Sequence, residues 1–304
     1  MALRDAFLML VVNLAWGLNF IATKYAVNDL PPIWAAALRF VLVILILCPF
    51  LKISKHLLRP VLTIGLVLGV VHFGVFYVAT SMQSNVSVVA IGMLMITPFS
   101  TLLAIMLLGE RIAWKRGLGI IFALSGVLFI AYDPTAFDNP LAFGLVFVSA
   151  FGYALASVFM RKIQGVGLFT MQAWVAVCGF VVLFCLSMLV EDNQWPATMN
   201  AGDLALGGVA YSGLISTLVG HGGLYYLLQR YPVTLISPLT LLAQVFGVIA
   251  SVLILNEILS DRIIIGAIIT FTGAVVISLR NSAKHQNVLS ETLIEEPKTD
   301  EAKS

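Results

Sequence analysis

The sequence predicts an all-α membrane protein with ten transmembrane helices in two inverted five-helix repeats. Three observations lead to this fold class: the composition, the spacing of long apolar runs, and a set of residues that recurs in the second half of the chain. Hydrophobic residues make up 60% of the 304 residues, and charged residues only 11%. Such a chain has too few polar side chains to cover a water-soluble surface, so we expect it to lie in a lipid bilayer.

Long apolar runs follow one another along the chain, each near the roughly 20 residues that a helix needs to cross the hydrocarbon. Short connections between several of them require antiparallel neighbours. The ten predicted spans are approximately 6–25, 33–51, 61–82, 86–108, 114–132, 141–160, 170–190, 204–228, 234–256 and 263–280. The first run is too long for a signal peptide and lacks a cleavage pattern, so we expect a retained helix. The polar residues 283–304 predict a disordered cytoplasmic tail.

The positions of Lys and Arg predict the orientation of the chain. With the N-terminus in the cytoplasm, the inner connections hold twelve of these residues, whereas the outer ones hold only Lys24 and Arg262. Because cytoplasmic loops carry the excess of positive charge, both termini are expected in the cytoplasm.

The rest of the composition excludes other classes of protein. The net charge of +2 is small and spread along the chain, which indicates no nucleic-acid partner. Cys48, Cys178 and Cys185 lie in apolar runs without CxxC spacing, so we interpret them as small core residues. The sequence also lacks GxSxG, HExxH and P-loop motifs. We therefore expect a protein that is not an enzyme and uses no cofactor or metal.

An internal repeat appears when residues are compared at fixed spacing. The recurring residues are Glu110, Gly119 and Gly126 in the first half and Glu257, Gly266 and Gly273, each 147 positions later, in the second. HFGVFY at 72–77 likewise resembles HGGLYY at 221–226. We predict a first repeat at 1–135 and a second at 136–282. Because five helices are an odd number, the second repeat must be inverted, as in secondary transporters whose substrate site lies between the halves.

Two histidines of the recurring segment, His72 and His221, are candidates for proton coupling. An ionisable group inside a membrane is expensive and usually faces the bundle interior or a watery cavity. Histidine changes charge near neutral pH, which suits a proton-coupled site. The alternative is a packing residue that hydrogen-bonds a neighbouring helix, and the sequence leaves both interpretations open.

The other candidates for substrate binding lie at similar depth in both halves. Asn13, Trp16 and Asn19 recur at three-residue steps and therefore share one helical face, where an aromatic ring between two amides suits a small polar solute. Trp16 also suits packing between helices. The predicted substrate-binding residues are Trp16, Asn19, His72, Tyr77, Tyr153, Tyr226 and Gln244.

Charged residues and prolines complete the set of candidates. Arg39 lies about six residues inside the second span, where it either reaches the interface or binds a carboxylate. Glu110 and Glu257 lie at helix ends on opposite membrane faces, which favours a gate or a structural ion pair over substrate binding. Pro98 and Pro238 are expected to kink their helices close to Met93, Thr97 and Gln244.

Glycines at Gly119 and Gly126, and again at Gly266 and Gly273, share one face of their predicted helices. Small residues on one face allow helices to approach closely in a membrane. Such faces serve either a homodimer or packing within the chain, and the sequence does not separate the two.

Three segments resemble the drug/metabolite transporter superfamily, specifically its EamA-type carriers. They are WGLNFIATKYA at 16–26, PPIWAAALRF at 31–40 and LLGERIAWKRGLGIIFALSGV at 107–127. The sequences of these segments most resemble the branch that includes the bacterial O-acetylserine/cysteine exporters. The resemblance implies ten helices in two inverted EamA repeats, an inner-membrane location, and export of small metabolites in exchange for protons. The second repeat departs from the first, because Tyr153 replaces Trp16 and no arginine matches Arg39.

The sequence therefore predicts a secondary active transporter that exports amino acids or related small zwitterionic or neutral metabolites by proton antiport. Phosphorylated substrates are disfavoured, since they would demand several buried Lys or Arg residues. Two alternatives stay open: facilitated uptake of a vitamin or another metabolite, and a non-transporting membrane receptor or scaffold. The expected partners are a small-molecule substrate, the lipid bilayer and a proton gradient.

Overall fold

The computed structural model describes residues 1–109, 114–134, 136, 139–231 and 233–294. All regular structure in these ranges is helical, which confirms the all-α prediction. The helices are α1 (Leu3–Asp29), α2 (Pro32–Leu47), α3 (Lys55–Met82), α4 (Val86–Leu108), α5 (Trp114–Ala131), α6 (Pro140–Lys162), α7 (Leu168–Val190), α8 (Gln194–Asn200), α9 (Asp203–Leu228), α10 (Val233–Leu239), α11 (Leu242–Leu255) and α12 (Asp261–Ile294).

Within the described ranges, eight helices are long and apolar enough to cross a membrane: α1, α2 with its 3-10 extension to Phe50, α3, α4, α6, α7, α9 and the first part of α12. Two shorter apolar helices, Gly117–Ala131 within α5 and Leu242–Leu255, occupy the remaining predicted spans. The chain is therefore a multi-pass membrane protein, and a count of ten crossings stays a prediction. The short helix α8 was not predicted.

The two halves enter the bundle in opposite directions. We call the side at which α1 begins the terminal face and the side at which it ends the distal face. Near the end of α1, Lys24 donates a hydrogen bond to the carbonyl of Gln83, just after α3 (2.9 Å). The side chain of Gln83 in turn donates to the carbonyl of Ala136, just before α6 (3.1 Å). Helix α6 therefore begins at the distal face and runs opposite to α1, as an inverted repeat requires.

Carboxylates of the second half cap helices of the first half at the distal face. Glu257, after α11, accepts hydrogen bonds from the backbone amides of Val86 (2.5 Å) and Ser87 (3.0 Å) at the start of α4. Glu191, after α7, accepts from the amides of Ile33 (2.8 Å) and Trp34 (2.9 Å) at the start of α2. The first amides of a helix lack partners within it, and the helix dipole favours a negative charge there. These capping hydrogen bonds therefore link the second half of the chain to the first.

The predicted glycine faces pack against each other within the chain. A side-chain carbon added at Gly126 would lie 2.6 Å from the carbonyl oxygen of Gly266, and one at Gly119 would lie 3.1 Å from that of Gly273. Helices α5 and α12 therefore approach so closely that only glycine fits at their crossing. Of the two roles that the sequence left open for these residues, packing within the chain is the one observed.

Prolines interrupt the fourth helix of the first half and its counterpart in the second. Helix α4 tightens into a 3-10 turn at Met93–Met95, shortly before Pro98. Helix α10 contains Pro238 and ends one residue later, and α11 begins only at Leu242. A proline lacks the amide hydrogen that would bond four residues back, which explains both interruptions. Both interruptions lie at or close to the prolines at which kinks were predicted.

The last helix is longer than expected. Helix α12 continues to Ile294 and so includes part of the segment 283–304 that was predicted to be disordered. The segment follows directly on a membrane helix, so that no new helix has to be nucleated. Residues beyond Ile294 lie outside the described ranges.

Candidate functional site

A cavity of about 170 Å³ lies between the two halves of the bundle. Its wall is formed by the middle parts of α1, α3, α4, α6 and α9 and by the break between α10 and α11. The described residues that line it include no Asp, Glu, Lys or Arg. They are Trp16, Asn19, Phe20, His72, Phe73, Phe76, Met93, Ile96, Thr97, Tyr153, Ser216, His221, Thr240, Leu241, Ala243 and Gln244.

His72 is held by the helix opposite it. Its Nδ1 atom lies 3.1 Å from the carbonyl oxygen and 3.0 Å from the hydroxyl of Ser149 on α6. Because a carbonyl oxygen only accepts hydrogen bonds, Nδ1 of the neutral ring carries the hydrogen and Nε2 carries the free electron pair. Nε2 has no hydrogen-bond partner within the described part of the chain. The ring contacts those of Phe73 and Tyr153, with centroids 4.5 and 5.0 Å away.

His221 has a similar arrangement in the second half. Its Nδ1 lies 3.3 Å from the carbonyl oxygen of Ser216, five residues earlier in α9. The same oxygen accepts a hydrogen bond from the indole Nε1 of Trp16 on α1 (3.1 Å). The rings of Trp16 and His221 meet edge to face, with centroids 5.3 Å apart. As with His72, Nδ1 carries the hydrogen, and among the described residues none bonds Nε2.

Both histidines lie in a widened, π-type stretch of their helix. These stretches are Val67–Gly74 in α3 and Tyr211–His221 in α9. π-type turns are rare and often occur at functional sites, because the extra residue in the turn changes the direction of the side chains. Their occurrence in the third membrane helix of each half follows the internal repeat.

Other polar side chains of the wall keep hydrogen-bonding capacity. The side-chain oxygens of Asn19 and Gln244 are buried and have no partner among the described residues. The hydroxyl of Tyr153 likewise makes no hydrogen bond to the part of the chain that the structure describes. An uncharged cavity with unused amide and hydroxyl groups suits a small polar solute, since buried polar groups are normally hydrogen-bonded.

A family model described as the EamA-like transporter family matches residues 3–132 and again residues 141–279. The chain belongs to the EamA-like transporter family. The resemblance to EamA-type carriers of the drug/metabolite transporter superfamily is thereby confirmed, and the protein is a transporter of this type. The two matched segments correspond to the two inverted halves.

Known relatives of this EamA-like transporter have nearly its full length. The chain is 28% identical to a "Probable amino-acid metabolite efflux pump" of Escherichia coli (strain K12), covering 90% of this chain and 94% of the relative. It is 26% identical, with the same coverage, to a protein of that name from Salmonella typhimurium. A solved crystal structure shares the fold with a TM-score of 0.65, at 16% identity and covering 91% of this chain.

Five of the seven predicted substrate-binding residues line the cavity of this EamA-like transporter: Trp16, Asn19, His72, Tyr153 and Gln244. Tyr77 and Tyr226 do not. Each lies five residues after its histidine, which corresponds to a rotation of roughly 140° around a helix. Tyr77 is buried beside Arg39, and Tyr226 lies near the terminal face, where it accepts a hydrogen bond from Arg4 and stacks under Arg230 (3.6 Å).

The remaining candidates lie in different places. Met93 and Thr97, beside Pro98, line the cavity together with His221, whereas Asn13 does not. Glu257 caps α4, and Glu110 lies outside the described residues. Arg39 is buried behind Phe73. Among the described residues, no group of three or more His, Cys, Asp or Glu is placed to hold a metal ion.

The sequence interpretation missed several residues of the site. Phe73 and Phe76 line the cavity on the same helix as His72, and Ser149 holds the histidine ring. Ser149 and Ser216 are serines within apolar runs, which is a signal that could have found them. Gly220 also matters, because a side-chain carbon there would overlap the indole of Trp16.

Proposed function

We propose that this transporter exports small zwitterionic metabolites of the amino-acid class, cysteine and O-acetylserine among them, by proton antiport. The observation that carries the proposal is a pair of histidines, His72 and His221, in a cavity whose described lining residues include no Asp, Glu, Lys or Arg. Each ring uses Nδ1 for a backbone carbonyl and keeps Nε2 for a proton. In this proposal the protein lies in the inner membrane with both termini in the cytoplasm.

The size and polarity of the cavity support a small solute. At about 170 Å³ it is smaller than the roughly 300–1,000 Å³ of sites for drug-sized ligands. Amide and hydroxyl groups from Asn19, Tyr153 and Gln244 offer donors and acceptors without a net charge. Such a wall favours a molecule that is polar but neutral overall, and disfavours a phosphate ester.

Competition between a proton and the substrate supplies the coupling. A proton on either Nε2 brings a positive charge into a cavity that the ammonium group of an amino acid would enter. Two positive charges about 4 Å apart repel each other by roughly 4 kcal/mol at an effective dielectric constant of 20. That energy weakens binding by a factor of roughly 10³, so substrate and proton occupy the cavity in turn. Mutual exclusion of this kind is the requirement for exchange.

The inverted halves and the names of the relatives support the same proposal. Inverted repeats allow the two halves to exchange conformations and so open the central site to either side. The relatives at 28% and 26% identity are named as efflux pumps of amino-acid metabolites, which supports the direction and the class of substrate.

Proteoliposomes test the proposal directly. Purified protein is reconstituted, and counterflow of labelled amino acids and O-acetylserine is measured with and without an imposed pH gradient. We expect saturable flux of a subset of these compounds, driven by the gradient and uncoupled from it in His72→Gln. His56→Gln is the matched control, because His56 is exposed at the start of α3. Flux that ignores the gradient would favour facilitated diffusion instead, and no counterflow at all would reject transport of this class.

A further inference from the structure

Arg39 is a fully buried cation for which the described part of the chain offers no counterion. It lies seven residues after Pro32, at roughly 10 Å along α2, and its exposed fraction is 0%. Among the described residues, no Asp or Glu lies within ion-pair distance of it. Charged residues inside a membrane bundle are normally paired or mark the path of a substrate or ion. Arg39 therefore requires an explanation beyond packing.

The guanidinium of Arg39 is only partly satisfied by its neighbours. Nη2 donates to the carbonyl oxygen of Ser212 (3.0 Å) and to the hydroxyl of Thr217 (3.2 Å) on α9. Nε and Nη1 make no hydrogen bond within the described part of the chain, and neither do the buried hydroxyls of Ser212 and Tyr77. Two guanidinium nitrogens of Arg39 and the hydroxyl groups of two residues beside it thus have no hydrogen-bond partner in the described part of the chain.

This cluster has the chemistry of an anion site. Arginine offers donors only, in a planar fork that matches the two oxygens of a carboxylate, and hydroxyl groups can add further donors. A single positive charge balances a single negative charge, so a carboxylate fits better than a phosphate. Arg39 is placed firmly, because Gly213 lets α9 approach α2 so closely that an added side-chain carbon would lie 2.7 Å from the carbonyl of Arg39.

Phe73 lies next to both the cluster and the cavity. The guanidinium carbon of Arg39 lies 4.2 Å from the centre of its ring, and Phe73 also lines the cavity beside His72. Phe73 is therefore a side chain that the cluster and the cavity wall share, and its rotation is the movement that binding from the cavity would require. Until then the ring covers the guanidinium and offers it a cation–π contact in place of an anion.

We propose that Arg39 forms a carboxylate-binding site, covered by Phe73, which receives the carboxylate of the transported metabolite. The proposal rests on the proposed function, because the carboxylate belongs to the substrate of that cavity. An amino acid then has its ammonium group in the uncharged cavity and its carboxylate on Arg39. An inorganic anion such as chloride shares the required charge and is the alternative occupant that the experiment must separate.

Paired ligands test the site on the full-length protein in nanodiscs. L-cysteine and cysteamine differ only in the carboxylate, and their dissociation constants are compared in wild type, Arg39→Gln and Arg262→Gln. We expect cysteine to bind roughly 10- to 100-fold more tightly than cysteamine in wild type and in Arg262→Gln, whose arginine is exposed at the distal face. In Arg39→Gln this preference should disappear. A preference that survives unchanged in Arg39→Gln overturns the proposal.

A second measurement leaves Arg39 in place, in case its replacement prevents folding. Phenylglyoxal modifies arginine, and mass spectrometry follows its reaction at Arg39. We expect slow reaction in wild type, at least tenfold faster reaction in Phe73→Ala, and protection by L-serine but not by ethanolamine, two ligands that differ only in the carboxylate and carry no thiol to consume the reagent. An unchanged rate in Phe73→Ala, or equal protection by both ligands, contradicts the proposal.

Replacing chloride by methanesulfonate, which carries no carboxylate, separates the two anions. Protection by chloride alone, with no effect of the serine carboxylate, would assign the site to an inorganic ion and overturn the substrate assignment. Failure of the proposed function looks different: no amino acid then shows counterflow in wild type. If counterflow stays coupled to protons while the preference for cysteine over cysteamine does not depend on Arg39, only the present proposal fails.

Discussion

Trp16 and His221 meet edge to face across the boundary between the two halves, with ring centroids 5.3 Å apart. Both side chains also bond the carbonyl oxygen of Ser216. One backbone oxygen therefore joins the first helix of one half to the third membrane helix of the other. A change in the angle between the halves would alter this contact and, with it, the wall of the cavity.

Removing the indole hydrogen bond should weaken this contact without creating a large cavity. In Trp16→Phe the aromatic packing against His221 persists, but Ser216 loses one donor. A typical hydrogen bond contributes about 0.5–1.5 kcal/mol, so we expect substrate to bind roughly 2- to 10-fold more weakly. Equilibrium binding of L-cysteine in nanodiscs measures this effect. Binding equal to wild type would show that the indole acts only by packing.

Replacing Gly220 offers a stronger test of the contact between Trp16 and His221. A methyl group at this position would overlap the indole of Trp16, whereas one at Gly207, on the same helix, would meet nothing within 4 Å. We expect Gly220→Ala to displace Trp16, to lower counterflow at least tenfold and to lower the midpoint of thermal unfolding. Gly207→Ala should change neither quantity. Equal behaviour of the two variants would mean that Trp16 can move aside at no cost.

The sequence predicted the fold better than the site, for physical reasons. The hydrocarbon thickness fixes the length of each span, and the offset of 147 residues from Glu110 to Glu257 identifies the repeat, so the helices could be located. Which face of a helix meets the cavity depends on its neighbours. Tyr77 belongs to the same repeated motif as His72, yet its side chain points toward Arg39. A motif that both halves inherited does not specify which way each of its side chains points.

The surroundings of Arg39 and of the two histidines could not be predicted from the sequence either. Arg39 could be recognised as an unusual residue, but the lack of a counterion among the described residues depends on which helices pack against α2. The π-type stretches around both histidines depend on tertiary packing too, since apolar residues alone do not specify a widened turn. Glu257 was expected as a gate or an ion pair, and the structure places it as a cap on the start of α4.

Replacing Glu257 should reveal the energy of this cap. Glu257→Gln removes the negative charge that accepts from the amides of Val86 and Ser87, and capping interactions typically contribute about 0.5–2 kcal/mol. We expect a lower midpoint of unfolding, with little change in the dissociation constant of the substrate. Asp192→Asn is the control, because Asp192 is exposed in the connection between α7 and α8. Unaltered stability combined with a large loss of counterflow would instead indicate a gate.

Proton competition predicts how substrate binding depends on pH. In the proposed exchange, a proton on His72 or His221 repels the ammonium group of the substrate, so the dissociation constant of L-cysteine should rise as the pH falls from about 8 to about 5. Replacing one histidine by glutamine removes one of the two proton sites and should flatten this dependence, while His56→Gln should leave it unchanged. Binding of labelled L-cysteine in nanodiscs, with a reductant present, measures the curves. If His72→Gln and His221→Gln both keep the slope of wild type, the proton binds elsewhere, and the two rings serve only to hold α6 and Trp16 in place.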